Sequence, residues 1–165
     1  MATVTHSIYM SDLKCEIDLY KLVFATSNII YRETPFKVCI WRLRGLNSTC
    51  MVYHTGVILV HGSKKSLRQY ARVLQKIGFS VHLKKISLVT KSMVYTMSKP
   101  LEYKDVVKYF DGEYNPEIFH GVIFKKKKVN FTVYNSGKVI ITGIRGEKMI
   151  DEIVNPVIRD LETCV

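Results

Sequence analysis

Hydrophobic positions along this chain switch between strand-like alternation and helical spacing, and the order of the switches occurs twice. In the first half, residues 3–11 (TVTHSIYMS) read as an extended strand. Residues 14–25 (KCEIDLYKLVFA) read as a helix whose apolar stripe is Ile17, Leu19, Leu22 and Val23. Three short β-rich runs follow at 36–43, 49–54 and 57–62, the last two joined by Thr55-Gly56, a tight hairpin signal. Residues 64–78 place Leu67, Tyr70, Val73, Leu74 and Ile77 at helical spacing, and Gly78 suits the left-handed residue that closes a helix. In the second half, residues 80–97 are rich in β-branched side chains, and Pro100 opens a helical segment near 100–109, where its missing N–H costs nothing. Strands are predicted at 119–127, 129–134 and 138–143, with Ser136-Gly137 closing the last hairpin. The final helix runs from near Gly146 to about Leu161, bent or broken at Asn155-Pro156.

The duplication is visible in the residues themselves. YHTGVILVHG at 53–62 is answered by YNSGKVIITG at 134–143, and Tyr31 and Phe36 by Tyr114 and Phe119. Two similar sub-structures, 1–79 and 80–165, are therefore expected within one continuous domain, since no Pro-, Gly- or Ser-rich linker separates them. The fold class is α+β, an antiparallel sheet covered by helices on one face. Strand residues alternate between faces, which assigns Ile8, Met51, Tyr53, Leu59, Tyr134 and Ile140 to the face away from the helices. An apolar sheet face left open marks a binding surface.

Charge narrows the class of partner. The chain carries 25 Lys+Arg against 14 Asp+Glu, a net +11, more than solubility requires, and this favours a polyanion. A paired surface suits duplex DNA, which is itself pseudo-symmetric. No apolar run is long enough to span a bilayer and no signal pattern precedes a cleavage site, so no membrane partner is expected. Cys15, Cys39, Cys50 and Cys164 are scattered without ligand spacing and read as reduced, mostly buried thiols. His6, His54, His61, His82 and His120 show no metal-binding spacing, and neither a phosphate-binding glycine loop nor a nucleophile elbow occurs. We therefore expect no metal, no cofactor and no enzymatic activity. The run Lys125–Lys128 reads as solvated hairpin charge, a phosphate clamp or a localisation signal.

Four stretches give the pattern a family. CEIDL at 15–19, YARVLQKIGF at 70–79, YNPEIFHGVIF at 114–124 and SGKVIITG at 136–143 resemble the core of the TATA-box-binding protein family, in the right order and repeat position. The segment before helix 64–78 and two loops of the second repeat are shorter than in the family, which marks a divergent member. The resemblance implies a saddle: a curved ten-stranded antiparallel sheet, its concave side on the DNA minor groove and four helices on the convex side. It implies that Phe36 with Tyr53, and Phe119 with Tyr134, wedge into base steps at the two ends of the site; the tyrosines depart from the family's usual Phe. The floor of the groove would meet His6, Ile8, Met51, Leu59, Thr90, Ser92, Thr132, Ile140 and Thr142. Phosphates would meet Arg42, Thr55, Lys64, Lys125, Ser136, Lys138 and Arg145, while Val57 stands where Lys138 does in the other repeat.

The centre of the site departs further. His6 and Thr90 replace the family's asparagines, Ser92 replaces a valine, and Lys37 and Lys91 are expected near a surface that is apolar or small in the family. By resemblance the chain is a general initiation factor that bends promoter DNA and recruits the RNA polymerase machinery. A factor IIB-like protein would meet Glu113, Glu117 and Ile118 in the loop 114–121 region, and a factor IIA-like protein the loop around 31–36. It would act in the nucleus, or at the site of viral transcription if the source is viral, and could pair with itself when free. The rival reading is an adaptor or decoy that keeps the protein-binding surfaces with weakened or lost TATA-DNA binding.

Overall fold

The computed structural model describes residues 2–164. The chain forms two compact units, one of Ser7–Val89 and one of the described residues in Thr90–Val165 and Met1–His6; the boundaries fall inside the strands β1 (Ala2–Asp12) and β6 (Ser87–Thr96).

In the Ser7–Val89 unit the elements after β1 are α1 (Leu19–Ala25), β2 (Ile29–Arg32), β3 (Val38–Trp41), β4 (Thr49–Tyr53), β5 (Val57–His61) and α2 (Lys64–Ile77). The strands run antiparallel in the order β2-β3-β4-β5-β1. Cys50, Val52, Ile58 and Val60 alternate inward and, with Trp41, meet Leu22 of α1 and Leu67, Tyr70 and Leu74 of α2 in a closed core. Trp41 packs edge-on against Tyr70, ring centroids 5.1 Å apart. Helix α2 is capped at both ends: the Ser63 hydroxyl accepts the N–H of Ser66, and Gly78, the expected closing residue, turns left-handed at φ 116°.

In the other unit β6 is followed by α3 (Tyr103–Phe110), β7 (Val122–Lys126), β8 (Val129–Val133), β9 (Lys138–Ile144), and a helix in three stretches. These are α4 (Glu147–Met149), a π-helical turn (Ile150–Val154) and α5 (Asn155–Thr163). Strand order is β6-β9-β8-β7. Phe131, Val133, Val139 and Ile141 alternate inward to meet Val106, Val154, Val157 and Leu161. Both units are thus antiparallel sheets with helices on one side only, the α+β class expected.

Several expected boundaries are corrected, for one recurring reason. Helix α1 begins at Leu19, not at residue 14, and α3 at Tyr103, not at Pro100. In each unit the chain leaving the first strand donates two backbone N–H groups to the aromatic hairpin. Leu13 bonds Gly56 O at 2.9 Å and Ile17 bonds His54 O at 2.9 Å; Met97 bonds Gly137 O at 2.8 Å and Leu101 bonds Asn135 O at 3.1 Å. Groups committed to the hairpin hold the chain out of a helix until the strap has passed. Asp18 then starts α1 by accepting the N–H groups of Tyr20 and Lys21. Strand β2, which has no counterpart among the predicted runs, pairs residue for residue with β3. Its equivalent in the other unit is reduced to a single bridge, Glu113 with Ile123, so nine strands stand among the described residues where the resemblance implies ten. The last helix continues through Asn155-Pro156; its irregularity is the wide turn just before, where Asn155 N–H reaches Ile150 O. All four cysteines are free, Cys39 and Cys50 buried and Cys15 and Cys164 half-buried; burial pushes the Cys39 thiol up to about 11.

The strap leaves no room at the hairpin for a side chain. A Cβ on Gly56 (φ 91°) would stand 2.0 Å from Cys15 O, and one on Gly137 (φ 85°) 3.0 Å from Lys99 O. Gly137→Ala is expected to lower unfolding free energy by about 1–3 kcal/mol, and Gly56→Ala by more, about 3 kcal/mol or above. Urea titrations of the two variants would check both the magnitudes and their order.

Candidate nucleic-acid interface

Strand register assigns every second residue of each sheet to the side without helices. In the Ser7–Val89 unit, Ile30 pairs with Ile40, Ile40 with Met51, Met51 with Leu59 and Leu59 with Met10. The result is an apolar row across five strands. Its inward neighbours are closed to solvent, whereas Ile40, Met51 and Leu59 are half-exposed and Ile30 and Met10 exposed. A second row beside it joins Thr49, His61 and Ile8. In the other unit Ile123 pairs with Thr132, Thr132 with Ile140 and Ile140 with Val94, next to a row that joins Lys125, Asn130 and Thr142. Thr90 and Ser92 are half-exposed and alternate with Lys91 and Met93, both of which point inward, so these hydroxyl residues share the open side.

Sequence reasoning named Ile8, Met51, Leu59, Thr132, Ile140 and Thr142 on this surface. It passed over Met10, Ile30, Ile40, Val94 and Ile123, which the same alternation could have found once the hairpin register was fixed. His6 is exposed in β1. Lys91 corrects an expectation. It is only 8% exposed, and its ammonium meets Glu147 at 2.5 Å at the start of α4, so it stands on the helix side and adds no charge to the open one. Lys37 is exposed just before β3.

The four candidate wedge rings do not pack beneath helices. Phe36 is 65% exposed in the β2–β3 loop, and Tyr53, half-buried, ends β4 next to the hairpin. Phe119 is 37% exposed and faces Tyr134 with ring centroids 5.9 Å apart. That second pair is held by a residue which the sequence did not single out. The Tyr103 hydroxyl donates to the carbonyl of His120 and accepts the N–H of Asn135 at 3.1 Å, while its ring packs on Tyr114 at 4.5 Å. One phenol on α3 therefore ties the Phe119 loop to the Tyr134 hairpin. Buried Gly121 lets the loop close, since a Cβ there would meet Phe119 Cε1 at 2.9 Å.

The candidate phosphate ligands Arg42, Thr55, Lys64, Lys125, Ser136, Lys138 and Arg145 are all exposed. Arg42 is oriented by a hydrogen bond from Nε to Thr49 Oγ1 at 3.1 Å, and the Lys64 ammonium lies 6.0 Å from the Tyr9 ring centroid. Thr55 and Ser136 sit at equivalent points of the two hairpins, each beside its strapped glycine. Within the loop 114–121, Ile118 is 81% exposed, Glu117 N–H bonds Asn115 Oδ1, and Glu113 anchors the bridge to β7. What unites the surface chemically is a pair of uncovered, mostly uncharged sheet faces with aromatic rings at the hairpin ends and cations around them.

Comparison with known proteins gives this geometry relatives. A family model described as transcription factor TFIID (or TATA-binding protein, TBP) matches residues 1–78 and 93–164. TATA-box-binding protein 1 of Arabidopsis thaliana is 30% identical, over 91% of this chain and 78% of its own length. TATA box-binding protein-like 2 of Mus musculus is 29% identical over 86% of this chain; the match spans 44% of that relative, so this chain accounts for less than half of it. Among solved structures, Methanococcus jannaschii TBP superposes with a TM-score of 0.86 at 17% identity, covering 98% of both chains. At that identity the likeness is one of fold.

Replacing Tyr103 by Phe removes two hydrogen bonds and keeps the ring. The expected outcome is faster hydrogen exchange at the Asn135 amide and shifted Phe119 ring resonances, with a stability loss of about 1 kcal/mol and unchanged fluorescence from Trp41 in the other unit. Unchanged exchange at Asn135 would show that the hairpin is held by other means.

Proposed function

This chain belongs to the TATA-binding protein family, and from that premise we propose that it binds promoter DNA through the minor groove and bends it, as a transcription initiation factor. The carrying observation is that each unit leaves one sheet face uncovered and brings a Phe–Tyr set, Phe36 with Tyr53 and Phe119 with Tyr134, to the loops and hairpins at its margin. An aromatic ring can take over one face of base stacking. Unstacking a step costs a few kcal/mol, and the bent duplex offsets this by bringing more surface into contact. Phenol hydroxyls on Tyr53 and Tyr134 need polar partners in the bound state, which the sugar edges of a widened minor groove offer.

Beneath the rings, the apolar rows meet the groove floor and the exposed Arg42, Thr55, Lys64, Lys125, Ser136, Lys138 and Arg145 meet the phosphates on either side. The duplicated units are read as 1–79 and 80–165, each taking one half of the site. The loop carrying Glu113, Glu117 and Ile118 is proposed to take a factor IIB-like partner and the β2–β3 side a factor IIA-like one, in the nucleus or where viral transcription proceeds. His6 and Thr90 favour a second reading, an adaptor that keeps these protein contacts and no longer bends DNA, because neither offers the paired N–H groups of an asparagine to adenine N3 and thymine O2.

Two measurements separate the readings. With about five to seven phosphate contacts, log K should fall against log salt with a slope of about −4.5 to −6.3; a flat response sinks the DNA-binding reading. On a duplex labelled at both ends, wild type should shorten the end-to-end distance. Phe36→Ala and Phe119→Ala should each restore part of the length and lose roughly ten-fold or more in affinity, the scale of one ring–base stack. A wild-type chain that leaves the duplex straight yet retains a factor IIB-like partner supports the adaptor.

A further inference from the structure

The two open faces are built alike and differ in chemistry. Where the Ser7–Val89 unit has Met51 between Ile40 and Leu59, the other unit has Thr132 between Ile123 and Ile140. Where the first strand of one unit has Ile8, its counterpart has Ser92. All four side chains are half-exposed on the uncovered side. The hydroxyl of Thr49, in the row beside Met51, already accepts from Arg42 Nε. His61 and Thr142 also stand at equivalent points, and each carries a hydrogen-bonding atom, so that pair does not distinguish the faces.

In the minor groove, A·T and T·A show acceptors only, and G·C adds one group, the guanine N2 amine, a donor. Against a methyl or thioether that amine loses its water and gains no acceptor, and it also needs space that Met51 and Ile8 occupy. A hydroxyl is smaller and accepts. Thr132 and Ser92 therefore meet both demands of guanine, and Met51 and Ile8 meet neither. Resting on the minor-groove reading above, we propose that Ser92 and Thr132 are specificity residues that make this protein's site asymmetric. The half-site under their unit admits G·C pairs, and the half-site under Ile8 and Met51 is restricted to A·T. The same difference fixes which way round the protein sits on the duplex, since only one orientation brings a guanine beneath an acceptor.

Inosine isolates the amine, because an I·C pair presents the minor groove of an A·T pair with no N2 group. The test scans G·C and I·C replacements through an A·T-rich duplex obtained by selection, measuring equilibrium binding at fixed salt. At positions in one half, G·C and I·C should bind within about two-fold of each other; in the other half G·C should bind about ten-fold more weakly than I·C, the scale of one mismatched pair. Thr132→Val with Ser92→Val should impose the ten-fold G·C penalty on the tolerant half and leave I·C unchanged. Met51→Thr should relieve the penalty in the other half. Thr132→Val is nearly isosteric, and a Ser92→Ala single variant with an unchanged melting curve guards against a folding defect. Equal G·C penalties in both halves of wild type, or variants that move G·C and I·C together, overturn the proposal while leaving minor-groove binding intact. A wild-type chain that neither binds nor bends the all-A·T duplex overturns the minor-groove reading, and the asymmetry with it.

Discussion

The grip of an incoming strap on a hairpin is the interaction on which the rest depends. In each unit two amide groups from the segment after the first strand are spent on carbonyls of the hairpin that ends in Tyr53 or Tyr134. A two-stranded turn standing alone is marginal in water. Strapped, it becomes a fixed shelf, and the aromatic residue next to it is aimed by backbone geometry, not by its own preferences. The strap also sets where the helices begin, and thereby which apolar residues of α1 and α3 reach the core. Gly56 and Gly137 are the cost of that closeness, since the crossing backbone passes where a Cβ would lie.

Local pattern revealed most of the framework. The spacing of Leu67, Tyr70, Leu74 and Ile77, closed by Gly78, specified α2 to within a residue of its ends, because that helix depends on its own caps and its own stripe. Alternation placed Met51 and Leu59 opposite Val52 and Ile58 for the same reason. What could not be read were features settled by distant residues. The starts of α1 and α3 depend on hairpin carbonyls dozens of positions away. Strand β2, with its sequence IIYR, is too short to announce itself and exists through its pairing with β3. Lys91 was expected near the open side because it falls where the resembled family is apolar or small. Its burial became legible only with Glu147, more than fifty residues on, to neutralise it.

The candidate site was legible in the same divided way. Its aromatic residues announced themselves by repetition, since Tyr53 and Tyr134 sit in near-identical decapeptides. The residue that positions one pair was passed over, although Tyr103 precedes Tyr114 by the same interval as Tyr20 precedes Tyr31. Tyr103 lies in an ordinary amphipathic helix, and its phenol reaches His120 and Asn135 only because the loop and the hairpin converge there. The other unit does echo this ring, since Tyr20 packs on Tyr31 with centroids 5.1 Å apart as Tyr103 packs on Tyr114 at 4.5 Å.

The wide turn at Ile150–Val154 sets how much change in length the last helix can take. A π-turn holds one more residue than the α-turn it replaces, so the helix takes up a single extra residue there without rotating what lies beyond. Val157, Ile158 and Leu161 stay turned toward the sheet while Ile153 and Val154 remain in the core ahead of them. The bulge thus acts as an expansion joint. Length could change by one position in the last helix of this unit without unseating either end, a tolerance that the strapped hairpins, with no slack in them, do not share.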